Sequence, residues 1–164
     1  SNSVLMEFDV DEVWKESVLR DVLNYSKKNF NDFDTMCFRC RYYVGRQIKI
    51  ITENLYGDQS YEWFRLWNIR QPTQFITHEP PRVRSWTNRI ITKEETVKRD
   101  WIFDHYAYTT EDQVKFKEQY YRYPGALKAW QRMHETTIDP IPVSSFLPWV
   151  RGPVYAKKEI DLSS

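Results

Sequence analysis

Asp9, Asp11 and Glu12 place three carboxylates within four residues, directly after the apolar run VLMEF at residues 4–8. Two chemistries fit that pattern. Read as a strand running on through Asp-x-Asp, alternation puts Asp9 and Asp11 on the same side of the chain. Adjacent carboxylates repel, and a divalent cation relieves the repulsion. Mg²⁺ or Mn²⁺ takes one or two protein carboxylates and completes its shell with water and phosphate oxygens. Open α/β sheets bind ligands beyond the carboxyl ends of their strands, the edge where these acids are expected to stand. Read instead as the start of a helix, Asp11 is an N-cap and Glu12 complements the helix dipole. The motif by itself leaves both open.

Two further groups could do chemistry. In THEPP, His78 and Glu79 precede Pro80 and Pro81, which restrict the backbone. A carboxylate held in a cleft can act as a general base, with the adjacent His orienting it or touching phosphate. A surface hydrogen bond between the two is the plain alternative. In DHYAYTTEDQVKFKEQYYRY, His105 stands just before a helix whose middle carries Lys115 and Lys117. A His and a Lys near a helix N-terminus can meet a diphosphate, or they can belong to a solvated charged face. Cys37-x-x-Cys40 lies inside a strand-like run, where side chains three apart face opposite ways. No second CxxC completes a zinc set. Both cysteines therefore read as structural thiols, which fits a cytoplasmic location.

The elements that must position these groups follow from periodicity. Residues 4–8 read as a short buried strand. Residues 12–29 read as a helix, with Trp14, Val18, Val22 and Tyr25 on one face. MCFRCRYYV, Gly45-Arg46 and QIKIIT read as a β-hairpin. YEWFRLWNI reads as a strand with Trp63, Arg65 and Trp67 alternating against Phe64 and Leu66, and QFITHEPPRV as a brief strand stopped by its prolines. Thr110 opens a helix with a Thr-x-x-Gln capping pattern ending at Gln113, running to about Tyr121. ALKAWQRMHE is a third helix. From Asp139 the chain carries Pro140, Pro142, Pro148 and Pro153 and reads as an extended surface strap.

Composition narrows the function classes. The 164 residues carry 24 basic and 23 acidic side chains, a formal charge of +1, which argues against a nucleic-acid partner. Aromatic residues make up 16%, too many for a disordered chain, and the surplus Trp and Tyr also suit sugar-binding surfaces. No run approaches the length of a transmembrane segment. Ser1-Asn2-Ser3 reads as the remnant of a cleaved tag.

The order FDVDE, helix, hairpin, WFRLW, THE, HYAYTTEDQVKFKEQYY resembles the family-2-like glycosyltransferases with the GT-A fold, over roughly residues 4–123. The resemblance implies a mixed α/β (α+β) class, a partial GT-A-like domain whose small mixed sheet is joined by about three helices. It implies that Asp9 and Asp11 hold Mn²⁺ or Mg²⁺ and the diphosphate of a nucleotide-diphosphate sugar, and that His105 and Lys117 approach the metal or the diphosphate. Glu79, or else Glu12, becomes the base that activates an acceptor hydroxyl on a glycan or another acceptor, with inversion at the anomeric carbon. Ahead of its Asp-x-Asp strand that fold carries a Rossmann-like half of about 100 residues, which grips the nucleotide. The chain is therefore expected to be a C-terminal portion, inactive alone, with residues 4–138 the metal and acceptor side and 139–164 a Pro-rich tail. The basic stretch 82–101 has no counterpart and is expected to be an acceptor-side insertion. The alternative is a non-enzymatic carbohydrate- or protein-binding module. A metal-dependent phosphohydrolase or nuclease fits less well, since those sites need more than one acidic cluster.

Overall fold

The structure is a computed structural model and describes residues 2–52, 63–70, 74–78, 81–84 and 87–159. Along the chain run β1 (Ser3–Met6), β2 (Glu12–Val13), α1 (Glu16–Lys28), β3 (Thr35–Gly45), β4 (Ile48–Ile50), β5 (Trp63–Ile69), β6 (Phe75–His78) and β7 (Pro81–Val83). There follow β8 (Ile90–Ile91), α2 (Lys93–Val97), β9 (Ile102–His105), α3 (Glu111–Tyr121), α4 (Ala126–Glu135), β10 (Ile141–Pro142), a 3₁₀ turn (Val143–Ser145) and β11 (Tyr155–Lys158). The class is mixed α+β, as the sequence implies. The chain forms two compact units, one from residues 1–40 and 62–103, the other from 41–61 and 104–164. It passes between them inside β3, after Cys40, and inside β9, after Phe103.

In the first unit β5 lies between two antiparallel partners, β1 (Leu5 opposite Trp67) and β3 (Met36 opposite Leu66). Trp63 through Asn68 are all buried, so β5 is covered on both faces. Its alternation is broken at Arg65. Met36 pairs with Leu66 but Cys37 pairs with Phe64, leaving Arg65 as the extra residue of a β-bulge. A bulge re-aims the residues around it, and Trp67 accordingly clusters with Phe64 and Cys37 rather than with Trp63 and Arg65. Helix α1 buries Val18, Val22 and Ser26 at four-residue spacing. Ser26 Oγ donates to Asn68 Oδ1 at 2.5 Å, and Asn68 Nδ2 donates to the carbonyls of Phe30 and Phe33. The charged run at 93–100 contains α2, opened by a Thr92–Glu95 capping box that the periodicity alone did not reveal.

Two expectations about the first unit are corrected. Strand β1 ends at Met6 and is only half-buried, so Asp9 and Asp11 do not continue it. Helix α1 starts at Glu16 after Lys15, which makes no side-chain cap, so Asp11 does not cap it. Residues 12–13 form β2 and pair with β9 instead. Glu12 is drawn away by an ion pair with Arg65. Trp14 is held by stacking on Phe103 at 4.6 Å and meeting Phe38 edge-on at 5.0 Å.

In the second unit the expected hairpin forms, with its turn one residue later than Gly45-Arg46. Gly45 pairs with Ile48 across Arg46 and Gln47, and Gln47 takes a left-handed φ of 58°. Strand β11 pairs with β4 (Ala156 opposite Ile50) and with β10 (Ala156 opposite Ile141). The tail is therefore no surface strap: Ile141, Val143, Leu147, Val150, Val154 and Ala156 are buried. Helix α3 has the expected Thr110–Gln113 capping box and ends on Arg122 in the left-handed region at φ 56°. In α4, Trp130 Nε1 donates to the carbonyls of Tyr108 (2.6 Å) and Val44 (3.0 Å). Cys37 and Cys40, on β3, are buried and form no disulfide.

The hairpin turn rests on one histidine. His134 Nδ1 lies 2.9 Å from the Trp130 carbonyl, which can only accept, so Nδ1 carries the proton and Nε2 accepts the Arg46 amide at 2.8 Å. A Cβ on Gly45 would come within 2.8 Å of the same ring. Burial, reinforced by the charges of Arg46 and Lys158, holds the His134 pKa below its ordinary value against the opposing bond to Trp130. Because the folded pKa is the lower one, this contribution is complete above the unfolded value of about 6.5. It is lost as pH falls from there through the folded pKa. Urea unfolding of the wild type should therefore weaken between neutral and mildly acid pH more steeply than that of His134→Asn; equal slopes would contradict this. Gly45→Ala should cost about 1–3 kcal/mol at neutral pH.

Candidate functional site

The acidic segment is organised by a single cation. Arg65, buried in β5 with its side chain 7% exposed, ion-pairs with Asp9 and Glu12. Its Nη2 donates to Asp9 Oδ2 at 2.6 Å and to Glu12 Oε1 at 2.7 Å, while Nε donates to Glu12 Oε1 at 2.9 Å. Trp14 Nε1 also donates to Glu12 Oε2 at 3.3 Å, and the guanidinium carbon lies 5.1 Å from the Trp63 ring. Burial pulls the Arg65 pKa down, but hydrogen bonding to Glu12 and the charges of Glu12, Asp9 and Glu7 outweigh it, leaving the pKa above its ordinary value.

The segment reaches Arg65 through a turn. The amide of Glu12 donates to the Asp9 carbonyl at 3.1 Å, which places Val10 and Asp11 at the tip. The carboxylates are thereby sorted. Glu12 has a fully buried side chain, whereas that of Asp9 is 46% exposed while Arg65 fixes its Oδ2. Asp11 is half-buried. Glu12 as a catalytic base is corrected: its carboxylate is buried against a guanidinium and an indole N–H, out of reach of a substrate hydroxyl. The side chain of Asp9 reaches the surface because of a turn and an ion pair rather than a continuing strand. Among the described residues no group of three or more His, Cys, Asp or Glu side chains is placed to hold a metal ion.

Strand β6 ends at His78, whose backbone pairs with Pro81 of β7. Glu79 lies outside the described residues, so its role as base is untouched by the geometry. His105 and Lys117 belong to the second unit. His105 is 6% exposed, and its ring sits 4.8 Å from the Tyr42 ring. Lys117 Nζ donates to the Ala107 carbonyl at 2.8 Å and lies 4.3 Å from the Tyr108 ring centroid, so its ammonium serves the start of α3.

Sequence reasoning missed Arg65, which it treated as one member of a strand. The signal lay in an Arg set between two Trp in WFRLW, since a cation inside a buried strand requires acidic partners. It also missed the connected rings of the second unit. Phe116 and Tyr120 stack on the outside of α3 at 5.6 Å, 61% and 68% exposed. The series continues through Tyr121 and Tyr123 to Trp149, which stacks on Tyr123 at 5.0 Å.

Compared with models of protein families, with curated proteins and with solved structures, the chain matches none. Among the described residues no helix is long and apolar enough to cross a membrane.

Removing the guanidinium strands a fully buried Glu12. Arg65→Met should cost about 3–5 kcal/mol in urea unfolding. Asp9→Asn, at a half-exposed partner, should cost about 0–1 kcal/mol. Similar losses from the two substitutions would show that Arg65 is not the organising charge.

Proposed function

We propose that this chain carries the metal and acceptor sites of a glycosyltransferase that moves a sugar from a nucleotide-diphosphate donor to an acceptor hydroxyl, with inversion. The observation that carries the reading is the sorting of the acidic turn. One buried Arg holds Glu12 inside and orients Asp9 outward beside Asp11, within a segment order that resembles family-2-like glycosyltransferases. Asp9 and Asp11 fit Mg²⁺ or Mn²⁺, which need one or two carboxylates from the protein and draw the rest of their shell from water and phosphate. When bound there, the cation supplies charge neutralisation of the departing diphosphate.

The chain's own residues then have separate tasks. Asp9 and Asp11 hold the cation. Arg65 is a positioning residue that sets the angle of Asp9 and prevents the turn from closing into a helix. Glu79, with His78 beside it, takes the proton of the acceptor hydroxyl. The buried thiols suit a reducing compartment, so we place the protein in the cytoplasm, with a donor nucleotide and a hydroxyl acceptor rather than nucleic acid as its ligands.

A second reading, a non-enzymatic carbohydrate-binding module, is favoured by the exposed rings of α3, because flat aromatic faces can stack on sugar C–H faces. Affinity electrophoresis in soluble polysaccharides separates the two. Retardation lost in Phe116→Ala/Tyr120→Ala but indifferent to EDTA and to Asp11→Ala would favour the module.

For the transferase reading, Mn²⁺ binding is measured by electron paramagnetic resonance with and without nucleoside diphosphates. The nucleotide should tighten Mn²⁺ binding to the wild-type chain, and Asp9→Asn and Asp11→Ala should each weaken it about tenfold or more, roughly 1.4 kcal/mol. Equal binding by wild type and Asp11→Ala would remove the metal role.

A further inference from the structure

We propose that the free edge of β1 pairs antiparallel with β1 of a second copy of this chain, about a two-fold axis at Leu5. In the first unit β1 is an outer strand, with β5 as its one strand partner among the described residues. The ladder decides which backbone groups are left over. The Glu7 amide donates to the Arg65 carbonyl at 3.0 Å, and Leu5 lies opposite Trp67 in the same register. Along an antiparallel ladder the backbone groups of successive residues point to alternate sides. Ser3, Leu5 and Glu7 therefore turn their N–H and C=O groups to β5. Those of Val4 and Met6 point the other way, where they have no hydrogen-bond partner among the described residues.

Proteins ordinarily guard an open edge with proline, lysine or another charge. The outer strand of the second unit is guarded in this way. Strand β10 pairs with β11, and the Val143 amide donates to the Val154 carbonyl at 2.9 Å, so the nitrogen that faces outward is that of Pro142. A proline there has no N–H to offer a further strand. Strand β1 has no such guard. Its residues, SVLM, include neither a charge nor a proline. Leu5, on the face it shares with Trp67, is 40% exposed.

The residues around this edge suit a second copy of themselves. Pairing centred on Leu5 sets Val4 opposite Met6 of the second copy, and Met6 opposite its Val4. The leftover groups of both strands are then satisfied by exchanging N–H···O=C bonds on either side of the axis. Leu5 meets Leu5 at a position without hydrogen bonds, where Cβ atoms stand about 5 Å apart, and both exposed side chains lose water. Charge selects the direction. In the antiparallel pair Glu7 faces Ser3 of the second copy, and the two acidic turns leave at opposite ends. A parallel pair would set Glu7, Asp9 and Asp11 beside their own counterparts, and like charges directly opposite destabilise a strand pair. One patch serves both subunits, as a two-fold interface requires. Four residues a side fall well short of the roughly 20–30 in a standard interface, so the association is weak and concentration-dependent.

Sedimentation velocity over about 1 µM to 1 mM protein tests this. The 20.0 kDa monomer should give way to a species of twice that mass as concentration rises. Val4→Pro and Met6→Pro each delete an outward N–H and leave the bonds to β5 in place, so each should raise the dissociation constant about tenfold or more. Leu5→Lys, which keeps every backbone group, should do the same by setting two ammonium groups against each other, and it decides the matter if a proline variant fails to fold. Leu5→Cys should close an intermolecular disulfide under mild oxidation faster than Ser3→Cys, because position 5 alone meets itself across the axis. The native Cys37 and Cys40 are buried and leave that comparison clean. A monomer throughout the range would overturn the proposal. So would a dimer that Leu5→Lys and the folded proline variants leave unchanged, or Leu5→Cys chains that cross-link no faster than Ser3→Cys.

Discussion

A guanidinium inside a strand covered on both faces is the constraint around which the first unit is arranged. Arg65 cannot reach bulk water, so counter-charges must come to it. Glu12 answers from 53 residues away and Asp9 from 56. Their approach fixes the turn at residues 9–12, diverts residues 12–13 into β2 and delays α1 until Glu16. It brings Trp14 onto Phe103 and Phe38. The extra residue that aims the guanidinium at the turn also moves Phe64 and Trp67 to one side of β5. A single bulged residue thus links the acidic turn to the packing of β5.

Such an arrangement is asymmetric in energy. A buried pair adds little net stability over well-packed apolar residues, yet losing one partner strands a charge. The value of Arg65 to this protein is therefore specificity of geometry. It keeps one carboxylate inside and presents another at the surface, a division that three neighbouring acids on a free loop would not make.

Much of the framework could be read from local pattern. The β3–β4 hairpin has a two-residue turn between apolar runs, α3 begins with a capping box, and α4 repeats its apolar positions as Ala126, Ala129, Trp130 and Met133. Each of these is decided by residues close together in the chain. What escaped was decided at long range. Alternation through Asp9 and Asp11 failed because the pull of Arg65 outweighs the strand tendency. Alternation through β5 failed because a bulge belongs to a strand pair rather than to one strand. The tail read as a strap because its prolines interrupt every period, although Val143, Leu147, Val150 and Val154 are spaced to bury between them. At the candidate site the residue types were legible, Asp9 and Asp11 above all. Their sorting was not, because it depends on a partner more than fifty residues away.

The account stands or falls on whether Asp9 and Asp11 share a cation. Crystals of the protein soaked with Mn²⁺ and a nucleoside diphosphate, with data collected at the manganese edge, test this most directly. The account predicts one strong anomalous peak within coordination distance of both Asp9 and Asp11, with diphosphate oxygens on its remaining face and Arg65 still on Asp9 Oδ2. A manganese peak elsewhere, or a nucleotide ordered with no peak at the acidic turn, would contradict it.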